Sequence, residues 1–312
     1  MKRTVLFLLA LIMLFSLIGC SEQDISSKEN EAEEDQIILI TPEEYTANAR
    51  ENVVDLISGL ATERFIDVTY SEVEKVSYYS ETCKRKRSFN IMLPANYDKN
   101  KKYPVLYILH GYWGTEDSMS HDSGLKLPEI ICNAIGKGEA EEMIVVFPYL
   151  YASDKNDALT EFGTEANAAY DNFINDLVND LMPYIEKHYS VKTGRMNTAI
   201  TGFSMGGRES IYIGFARPDL FGYVGAVCPA PGVTADLIPE SELVFGEEKP
   251  YLFFITAGSN DGVVGETPAG YHDIFTRNGV DHVWQYIKGG DHGSMSIKPH
   301  IYNFVRNIFK AK

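Results

Sequence analysis

The sequence contains few cysteines and few basic residues. Its 312 residues include four cysteines, whose spacings match no metal-binding motif, and a chain of this size needs no disulfide bonds to hold its core. Lysine and arginine number 28 against 44 acidic residues, which gives a formal net charge of −16. Such a charge opposes binding to nucleic acid or to anionic lipid headgroups. We therefore expect a globular protein that does not bind nucleic acid.

The basic residues that are present form one dense run, KRKR at residues 84–87. A nucleic-acid-binding patch is one interpretation of this run. We favour a solvated edge strand, because edge strands often carry charges that oppose aggregation.

Long uncharged runs are rare as well, and one lies at the N-terminus. Lys2 and Arg3 precede the uncharged residues 4–19, a run typical of a signal peptide and too short for a membrane span. It ends in LIGCS, which resembles a bacterial lipobox with Cys20 as the lipidated residue; an ordinary secretory signal is the alternative. Lipidation predicts an exported, cell-surface lipoprotein that contacts the membrane only through its N-terminal lipid. The cysteines that remain are odd in number, so at least one thiol stays free, and we expect all of them to be structural: Cys83, Cys132 and Cys228.

Beyond the signal peptide, residues 1–19, the chain divides into three parts. Residues 20–40 carry Cys20 and an acidic stretch without aromatic residues, which predicts a flexible tether. Residues 41–64 predict a helical extension, because TPEE at 41–44 is typical of a helix start and residues 53–60 supply an apolar face. Residues 65–312 form the main domain.

Within this domain, patterns typical of strands alternate with patterns typical of helices. Residues 66–79 and 86–93 predict an antiparallel pair. Continuous apolar runs predict strands covered on both faces, at 104–109, 143–147, 198–201, 223–227, 252–256 and 282–287.

Helical patterns occupy 170–185, 205–216, 267–278 and 299–310, and Pro183 is expected to kink or end the first. The alternation predicts an α/β fold with a mostly parallel central sheet and helices on both faces. Ligands of such folds bind at the carboxyl ends of the strands.

The segment GFSMGG, residues 202–207, joins one of these strands to a helix. A strand–turn–helix setting is what a nucleophile elbow requires, and its glycines leave room in a strained turn. A tight turn with an inactive serine is the alternative. We predict that Ser204 is a nucleophile.

A serine nucleophile needs a histidine base and a carboxylate, in the chain order Ser, acid, His. Asp261 follows the strand at 252–256, and His292 follows the strand at 282–287, so both lie at carboxyl ends. Other candidates lie beside His292, inside a predicted helix, at the wrong end of a strand or at a helix start: Asp291, His272, Asp273, His282 and His300. The predicted catalytic residues are therefore Ser204, Asp261 and His292, with no metal and no organic cofactor.

The oxyanion of a tetrahedral intermediate needs hydrogen-bond donors as well. One is the backbone N–H of Met205, directly after the nucleophile, and the second should come from the loop after an earlier strand. The loop HGYWG, residues 110–114, supplies Tyr112 for this role. His110 is expected to support the loop by hydrogen bonding.

These motifs together resemble a known family. HGYWG, GFSMGG, GSNDG and GGDHG, with the preceding FNIMLPANYDKNKKYPVLYILHG, are similar to the bacterial feruloyl and acetyl-xylan esterases. These are α/β-hydrolases of the esterase D type that act on plant cell-wall polysaccharides. The resemblance covers residues 65–312 and implies a Ser204, Asp261 and His292 triad with Met205 and Tyr112 as the oxyanion hole. The lipid anchor differs from the usual setting of these enzymes.

The expected substrate is a small ester or a feruloylated or acetylated oligosaccharide, hydrolysed at the cell surface. Aromatic residues on the loops around the nucleophile are candidates for stacking on a feruloyl ring or on sugars, with core packing as the alternative for each: Trp113, Tyr149, Tyr151 and Phe162. A siderophore-lactone esterase or a sugar acyltransferase would use the same triad. The export signal argues against a cytosolic S-formylglutathione hydrolase. A non-enzymatic alternative is a surface glycan-binding lipoprotein.

Overall fold

The computed structural model describes residues 40–311. The predicted signal peptide, the predicted lipidation site Cys20 and almost all of the predicted tether lie outside these residues. No helix among the described residues combines the length and the apolarity that crossing a membrane requires.

Residues 40–311 contain one sheet of eight strands. The strands are β1 (Val73–Ser80), β2 (Arg85–Met92), β3 (Val105–Leu109), β4 (Ile144–Pro148), β5 (Thr198–Phe203), β6 (Tyr223–Val227), β7 (Leu252–Gly258) and β8 (Val283–Ile287). Their order across the sheet is β1-β2-β4-β3-β5-β6-β7-β8. The β1–β2 and β2–β4 pairs are antiparallel and the rest are parallel. Every residue of β3, β4, β6 and β7 is buried, which explains their continuous apolar sequences.

Helices cover both faces of the sheet. They are α1 (Pro42–Glu51), α2 (Asp117–Ser120), α3 (Leu127–Gly136), α4 (Thr164–Asp171), α5 (Phe173–Asp176), α6 (Met182–His188), α7 (Met205–Ala216), α8 (Thr267–Arg277) and α9 (Ser294–Arg306). Two apolar layers result. The first includes buried side chains of α4 to α8, and the second includes those of α1, α3 and α9. The predicted α/β fold with helices on both faces is confirmed.

The N-terminal helix begins as predicted but ends early. The Thr41 side chain accepts a hydrogen bond from the Glu44 N–H, and the Glu44 carboxylate accepts one from the Thr41 N–H, a capping box. Because α1 ends at Glu51, the apolar residues 53–60 follow the helix and do not form its face. The helix packs onto the main domain, where the Tyr45 hydroxyl donates to the Asn307 carbonyl at 2.8 Å.

Pro183 does not end the helical path in which it lies. A π-helical turn, Leu177–Leu181, links α5 to α6, and the helical path continues to His188. Proline has no N–H to donate and crowds the preceding turn. It occupies the second position of α6, directly after the wider π turn.

The basic run at residues 84–87 does not form a solvated edge strand, because β1 is the edge strand and β2 lies inside it. Arg87 points inward and is buried. Its Nε lies 3.2 Å from the Asp176 carboxylate, and its Nη1 donates to the Tyr151 carbonyl at 2.6 Å. The charge of this arginine is therefore used to compensate a buried carboxylate.

Candidate active site

Ser204 lies in a strained turn at the carboxyl end of β5. It separates the last residue of that strand from the first residue of α7. Its φ of 56° and ψ of −114° place a non-glycine residue in a region that L-amino acids rarely occupy. This strain is typical of a nucleophile elbow, where the turn holds the side chain out from the sheet.

The glycines around Ser204 are required by close backbone packing. A Cβ atom on Gly202 would lie 2.4 Å from the Gly206 backbone, and one on Gly206 would lie 2.5 Å from the Leu109 carbonyl oxygen. Real Cβ atoms essentially never approach backbone this closely. The elbow is therefore packed directly against the end of β3.

We expect Gly206→Ala to lower the free energy of unfolding by about 1–3 kcal/mol, because the added methyl group displaces backbone. Gly270→Ala is the matched control. It adds the same methyl group in open space on α8 and should raise the free energy of unfolding by about 0.5–1 kcal/mol. Urea unfolding of the two variants measures both changes. Equal stabilities for the two variants would contradict this description of the elbow.

Asp261, His292 and Ser204 form one continuous line of hydrogen bonds. His292 Nδ1 lies 2.7 Å from Asp261 Oδ2, and His292 Nε2 lies 3.0 Å from Ser204 Oγ. Asp261 follows the end of β7 and His292 follows the end of β8, so all three side chains meet at the carboxyl edge of the sheet. The structure thus brings together the three residues that we predict to be catalytic.

The Asp261 carboxylate is held in its ionised form. Burial opposes ionisation, but hydrogen bonds from His292 and from the N–H groups of Val264 and Val263 outweigh it and hold the pKa of this carboxyl below its usual value. Asp261 Oδ1 accepts from those two N–H groups at 3.1 and 2.9 Å. An ionised Asp261 accepts a hydrogen bond from the Nδ1–H of His292, which leaves Nε2 free to accept the Ser204 proton.

The predicted oxyanion donors lie on the two segments next to the serine. Met205 is the first residue of α7, and the first N–H groups of a helix have no partner within the helix. The loop 110–114 follows β3 and passes beside the serine, since a Cβ atom on Gly111 would lie 3.4 Å from the Ser204 Cβ. Tyr112 is the next residue in that loop. Its role as a donor stays a prediction.

His110 supports this loop from within the protein. It is buried, its Nε2 accepts the Leu150 N–H at 3.0 Å, and its Nδ1 lies 2.7 Å from the Gly111 carbonyl. Because Nε2 is the acceptor, Nδ1 carries the proton and donates to Gly111. Burial lowers the pKa of His110 to about 4. The neutral ring therefore joins the segment after β4 to the loop at 110–114, which we call the oxyanion loop after its predicted role, and is not a base for Ser204.

We expect His110 to make the folded protein less stable in acid. In the unfolded chain His110 binds a proton below about pH 6.5, whereas in the folded protein it stays neutral down to about pH 4. Its contribution to the free energy of unfolding is therefore complete above pH 6.5 and is lost as the pH falls toward 4. Urea unfolding at pH 7 and pH 5 should show a smaller acid loss in His110→Gln than in the wild type, by about 2 kcal/mol. His188→Gln, at an exposed histidine of α6, should keep the wild-type loss.

The predicted substrate residues separate into exposed and buried ones. Trp113 is 49% exposed and Phe162 is 69% exposed. The Tyr112 ring stacks on Phe162 with centroids 4.6 Å apart, and the Trp113 ring meets Phe162 edge-on at 4.9 Å. We call Tyr112, Trp113 and Phe162 the aromatic cluster.

Two further tyrosines lie deeper. Tyr149 is half-buried, with its ring stacked on His110 at 5.7 Å. Tyr151 is 4% exposed and packs edge-on against Tyr170, so the structure does not place it on the surface. Tyr151 is a core residue here, the alternative that sequence analysis left open for each aromatic side chain.

Cys228 lies beside the Asp261–His292 pair, and sequence reasoning did not place it there. The Cys228 Sγ, a His292 ring nitrogen and an Asp261 carboxylate oxygen lie within 4.8 Å of one another, a donor set that suits a soft metal ion. The nitrogen and oxygen are, however, engaged in the hydrogen bonds described above. Burial raises the pKa of the Cys228 thiol to about 12, which keeps it protonated. The available signal was its position directly after the apolar run 223–227. Cys83, Cys132 and Cys228 are all free and buried.

His300 is a second buried group that sequence reasoning misplaced. Because α9 begins at Ser294, His300 lies inside this helix and does not open it. Its Nε2 lies 2.7 Å from Thr201 Oγ1, and its Nδ1 lies 2.8 Å from Thr256 Oγ1. It therefore joins α9 to β5 and β7, the strands that lead to Ser204 and Asp261.

Comparison with known proteins agrees with this architecture. The Esterase family model matches residues 80–258. A CE1 ferulic acid esterase from Anaeromyces mucronatus, solved with ferulic acid, is 43% identical with a TM-score of 0.79, over 82% of this chain and 97% of that one.

Two curated relatives are longer proteins. An endo-1,4-beta-xylanase/feruloyl esterase of Xylanibacter ruminicola is 32% identical over 164 residues, 51% of this chain and 22% of that protein. Endo-1,4-beta-xylanase Y of Acetivibrio thermocellus is 31% identical over 137 residues, 41% of this chain and 11% of that protein. The chain thus spans less than a quarter of the length of either one. From the family match and the shared fold, we conclude that this chain belongs to the Esterase family of α/β-hydrolases.

Proposed function

We propose that this protein is a serine carboxylic-ester hydrolase that removes feruloyl groups from fragments of plant cell-wall polysaccharide. The observation that carries the proposal is the hydrogen-bonded line from Asp261 through His292 to Ser204, with distances of 2.7 and 3.0 Å. The names of its relatives support the choice of acyl group, since the solved structure is a ferulic acid esterase and a curated relative is a xylanase/feruloyl esterase.

The first half of the reaction transfers the acyl group to the protein. Ser204 Oγ attacks the ester carbonyl carbon while His292 Nε2 takes the hydroxyl proton, and Asp261 stabilises the resulting imidazolium. The N–H groups of Met205 and Tyr112 bind the oxyanion of the tetrahedral intermediate. The carbon–oxygen bond to the sugar then breaks, and His292 returns its proton to the sugar oxygen.

The second half releases the acid. Water attacks the acyl-serine carbonyl, His292 accepts a proton from the water, and the same donors bind the second oxyanion. When the bond to Ser204 Oγ breaks, His292 protonates that oxygen and the resting state returns. The groups of the chain handle every proton in this cycle, so we propose no cofactor.

The aromatic cluster is our proposed binding surface for the substrate. It lies on and against the oxyanion loop and exposes Trp113 and Phe162. Flat aromatic surfaces of this kind suit stacking on a feruloyl ring or on a sugar face. Half-buried Tyr149, whose ring packs on His110 below the same loop, completes the set.

A substrate panel tests the choice of ester. Methyl ferulate and feruloylated arabinoxylan oligosaccharide should be hydrolysed with the highest kcat/KM, ahead of acetylated xylan, p-nitrophenyl acetate and an enterobactin-like trilactone. Preference for the trilactone would support a siderophore esterase. Transfer of the feruloyl group to an added sugar in place of hydrolysis would support an acyltransferase.

We also propose that the protein is exported and held at the cell surface by a lipid on Cys20. The lipobox-like sequence LIGCS supports this proposal. In bacteria fed an alkyne-labelled fatty acid, the full chain should incorporate the label and sediment with membranes. Cys20→Ser should lose both properties, whereas Cys132→Ser should keep them. Labelling that survives in Cys20→Ser would contradict the proposal.

A further inference from the structure

A groove of about 700 Å³ lies at the edge of the sheet that β8 forms. Its walls come from the end of α1 and the segment after it, from α8, and from β8 with the turn before it. The lining includes Arg50, Asp55, His272, Thr276, Asp281 and Trp284. None of Ser204, Asp261 and His292 lines it, so it is separate from the candidate active site. Arg50 and Asp55 precede the segment that the family model matches.

One wall of the groove continues into a row of three aromatic rings. Trp284 and Tyr286 are alternate residues of β8 and therefore point to the same face of the sheet. Their ring centroids lie 6.2 Å apart with an interplanar angle of 28°. His272 of α8 stacks on Trp284 at 4.6 Å and 7°. We call His272, Trp284 and Tyr286 the aromatic row. Tyr286 is 53% exposed.

Hydrogen bonds orient one member of the row, His272, before any ligand arrives. His272 Nδ1 lies 2.8 Å from His282 Nε2, and His282 Nδ1 lies 2.7 Å from the Val280 carbonyl. Because His282 donates from Nδ1, its Nε2 accepts a hydrogen bond from the Nδ1–H of His272, which orients the ring that stacks on Trp284. A surface ordered in this way loses little side-chain entropy when a ligand binds.

The polar groups of the groove argue against an anionic ligand. Asp55 and Asp281 supply two carboxylates against one guanidinium, that of Arg50. Arg50 pairs with Asp281 and also donates to the His282 carbonyl at 2.9 Å. An anion would meet excess negative charge here and in the whole chain, whose net charge is −16. Aromatic faces beside carboxylate acceptors and guanidinium donors suit a sugar, which offers apolar C–H faces and many hydroxyls.

The row extends along β8 toward the carboxyl end of that strand. Trp284 and Ile287 are three positions apart, which corresponds to about 10 Å along the strand, and the loop that follows carries His292. A chain of sugars bound along β8 would therefore approach the edge of the sheet where Ser204 lies.

We propose that the aromatic row and its groove form a second binding site, which holds the neutral xylan backbone while an ester on the same polymer reaches Ser204. This inference rests on the proposed function for the identity of the polymer. It gives a role to the segment 50–55, which shapes one wall of the groove.

The fluorescence of Trp284 gives a direct test, because the chain has two tryptophans and Trp113→Phe leaves Trp284 as the sole one. Titration of the full-length Trp113→Phe protein with unesterified xylohexaose should change the Trp284 emission and saturate by about 10 mM. Adding Tyr286→Ala should weaken the apparent affinity about fivefold. The matched control is Tyr79→Ala, at a tyrosine 56% exposed on the opposite edge strand, and it should leave the affinity unchanged.

Three results would overturn the proposal. The first is an emission that xylohexaose does not change, and the second is an equal affinity in the Tyr286→Ala and Tyr79→Ala proteins. The third is a response to methyl ferulate without one to xylohexaose, which would make the row a site for the aryl group. Circular dichroism of each variant confirms that it is folded, which we expect because Tyr79 and Tyr286 are exposed.

The binding test is independent of ester hydrolysis, so the two proposals fail separately. A protein that binds xylohexaose and hydrolyses no ester would refute the proposed function and keep the second site. One that hydrolyses methyl ferulate without binding xylohexaose would do the reverse. If both hold, Tyr286→Ala should lower the ratio of kcat/KM for feruloylated arabinoxylan to that for methyl ferulate about fivefold, and Tyr79→Ala should not.

Discussion

Ser204→Ala should lower kcat for methyl ferulate by about 10⁶-fold. The hydroxyl that His292 Nε2 contacts at 3.0 Å is the group that we propose to form the acyl-enzyme, and alanine offers no replacement. The remaining activity would come from the oxyanion donors and from substrate binding, which do not need the serine oxygen. Steady-state hydrolysis, followed by release of ferulic acid, measures the loss.

Ser241→Ala is the matched control for this variant. It removes the same oxygen from an exposed serine and should leave kcat unchanged. Circular dichroism of both variants checks that they fold. A Ser204→Ala protein that retains kcat within tenfold of the wild type would require a different nucleophile.

Asp261→Asn should lower kcat by about 10⁴-fold while KM changes little. The ionised carboxylate accepts a hydrogen bond from the Nδ1–H of His292, whereas an amide in the same place can donate to Nδ1 and stabilise the wrong tautomer. The folded protein holds the pKa of Asp261 below its usual value. The ionised carboxylate therefore contributes stability above that usual pKa, and this stability is lost only as the pH falls through the lowered pKa. The Asp261 carboxylate should therefore keep its charge in mild acid.

The matched control is Asp273→Asn on the exposed surface of α8, which should keep full activity. Determination of kcat and KM for both variants between pH 5 and pH 8 separates the two effects. A rise in KM without a fall in kcat in Asp261→Asn would show that this carboxylate only binds substrate. That result would contradict its assignment to the triad.

Ser204, Asp261 and His292 could be placed from the sequence because their positions follow from strand ends. Apolar runs that are buried on both faces mark the parallel strands, and the carboxyl ends of such strands share one edge of the sheet. Order along the chain then assigned an acid and a base to the serine. The same logic located the loop at 110–114, which the structure places beside Ser204.

The side-chain partners across the fold could not be predicted in this way. Arg87 is buried beside Asp176, which is far away in the sequence. The residues around Arg87 in the sequence give no sign of this partner. His300 bridges β5 and β7 across β6, where Gly225 leaves room, since a Cβ atom there would lie 2.5 Å from Thr201 Oγ1. Such pairings depend on how helices and strands that are distant in the sequence pack against one another.

Pro183 shows a different limit of sequence reasoning. Proline disrupts the interior of a regular α-helix, so its presence indicates a kink or an end. The π turn before it has a different hydrogen-bond spacing, and the sequence carries no distinct mark of such a turn. The segment after α1 gives a further case, because its apolar residues match a helical period but follow the helix end at Glu51.

The central claim is that Ser204 is the activated nucleophile of an ester hydrolase. Treatment of the full-length protein with a fluorophosphonate probe, followed by trypsin digestion and mass spectrometry, tests it most directly. We predict one adduct per chain, on Ser204 in the peptide that runs from residue 196 to 208, and none in Ser204→Ala. No adduct, or an adduct on another serine that accompanies loss of activity, would contradict the claim and favour a binding protein or a different active site.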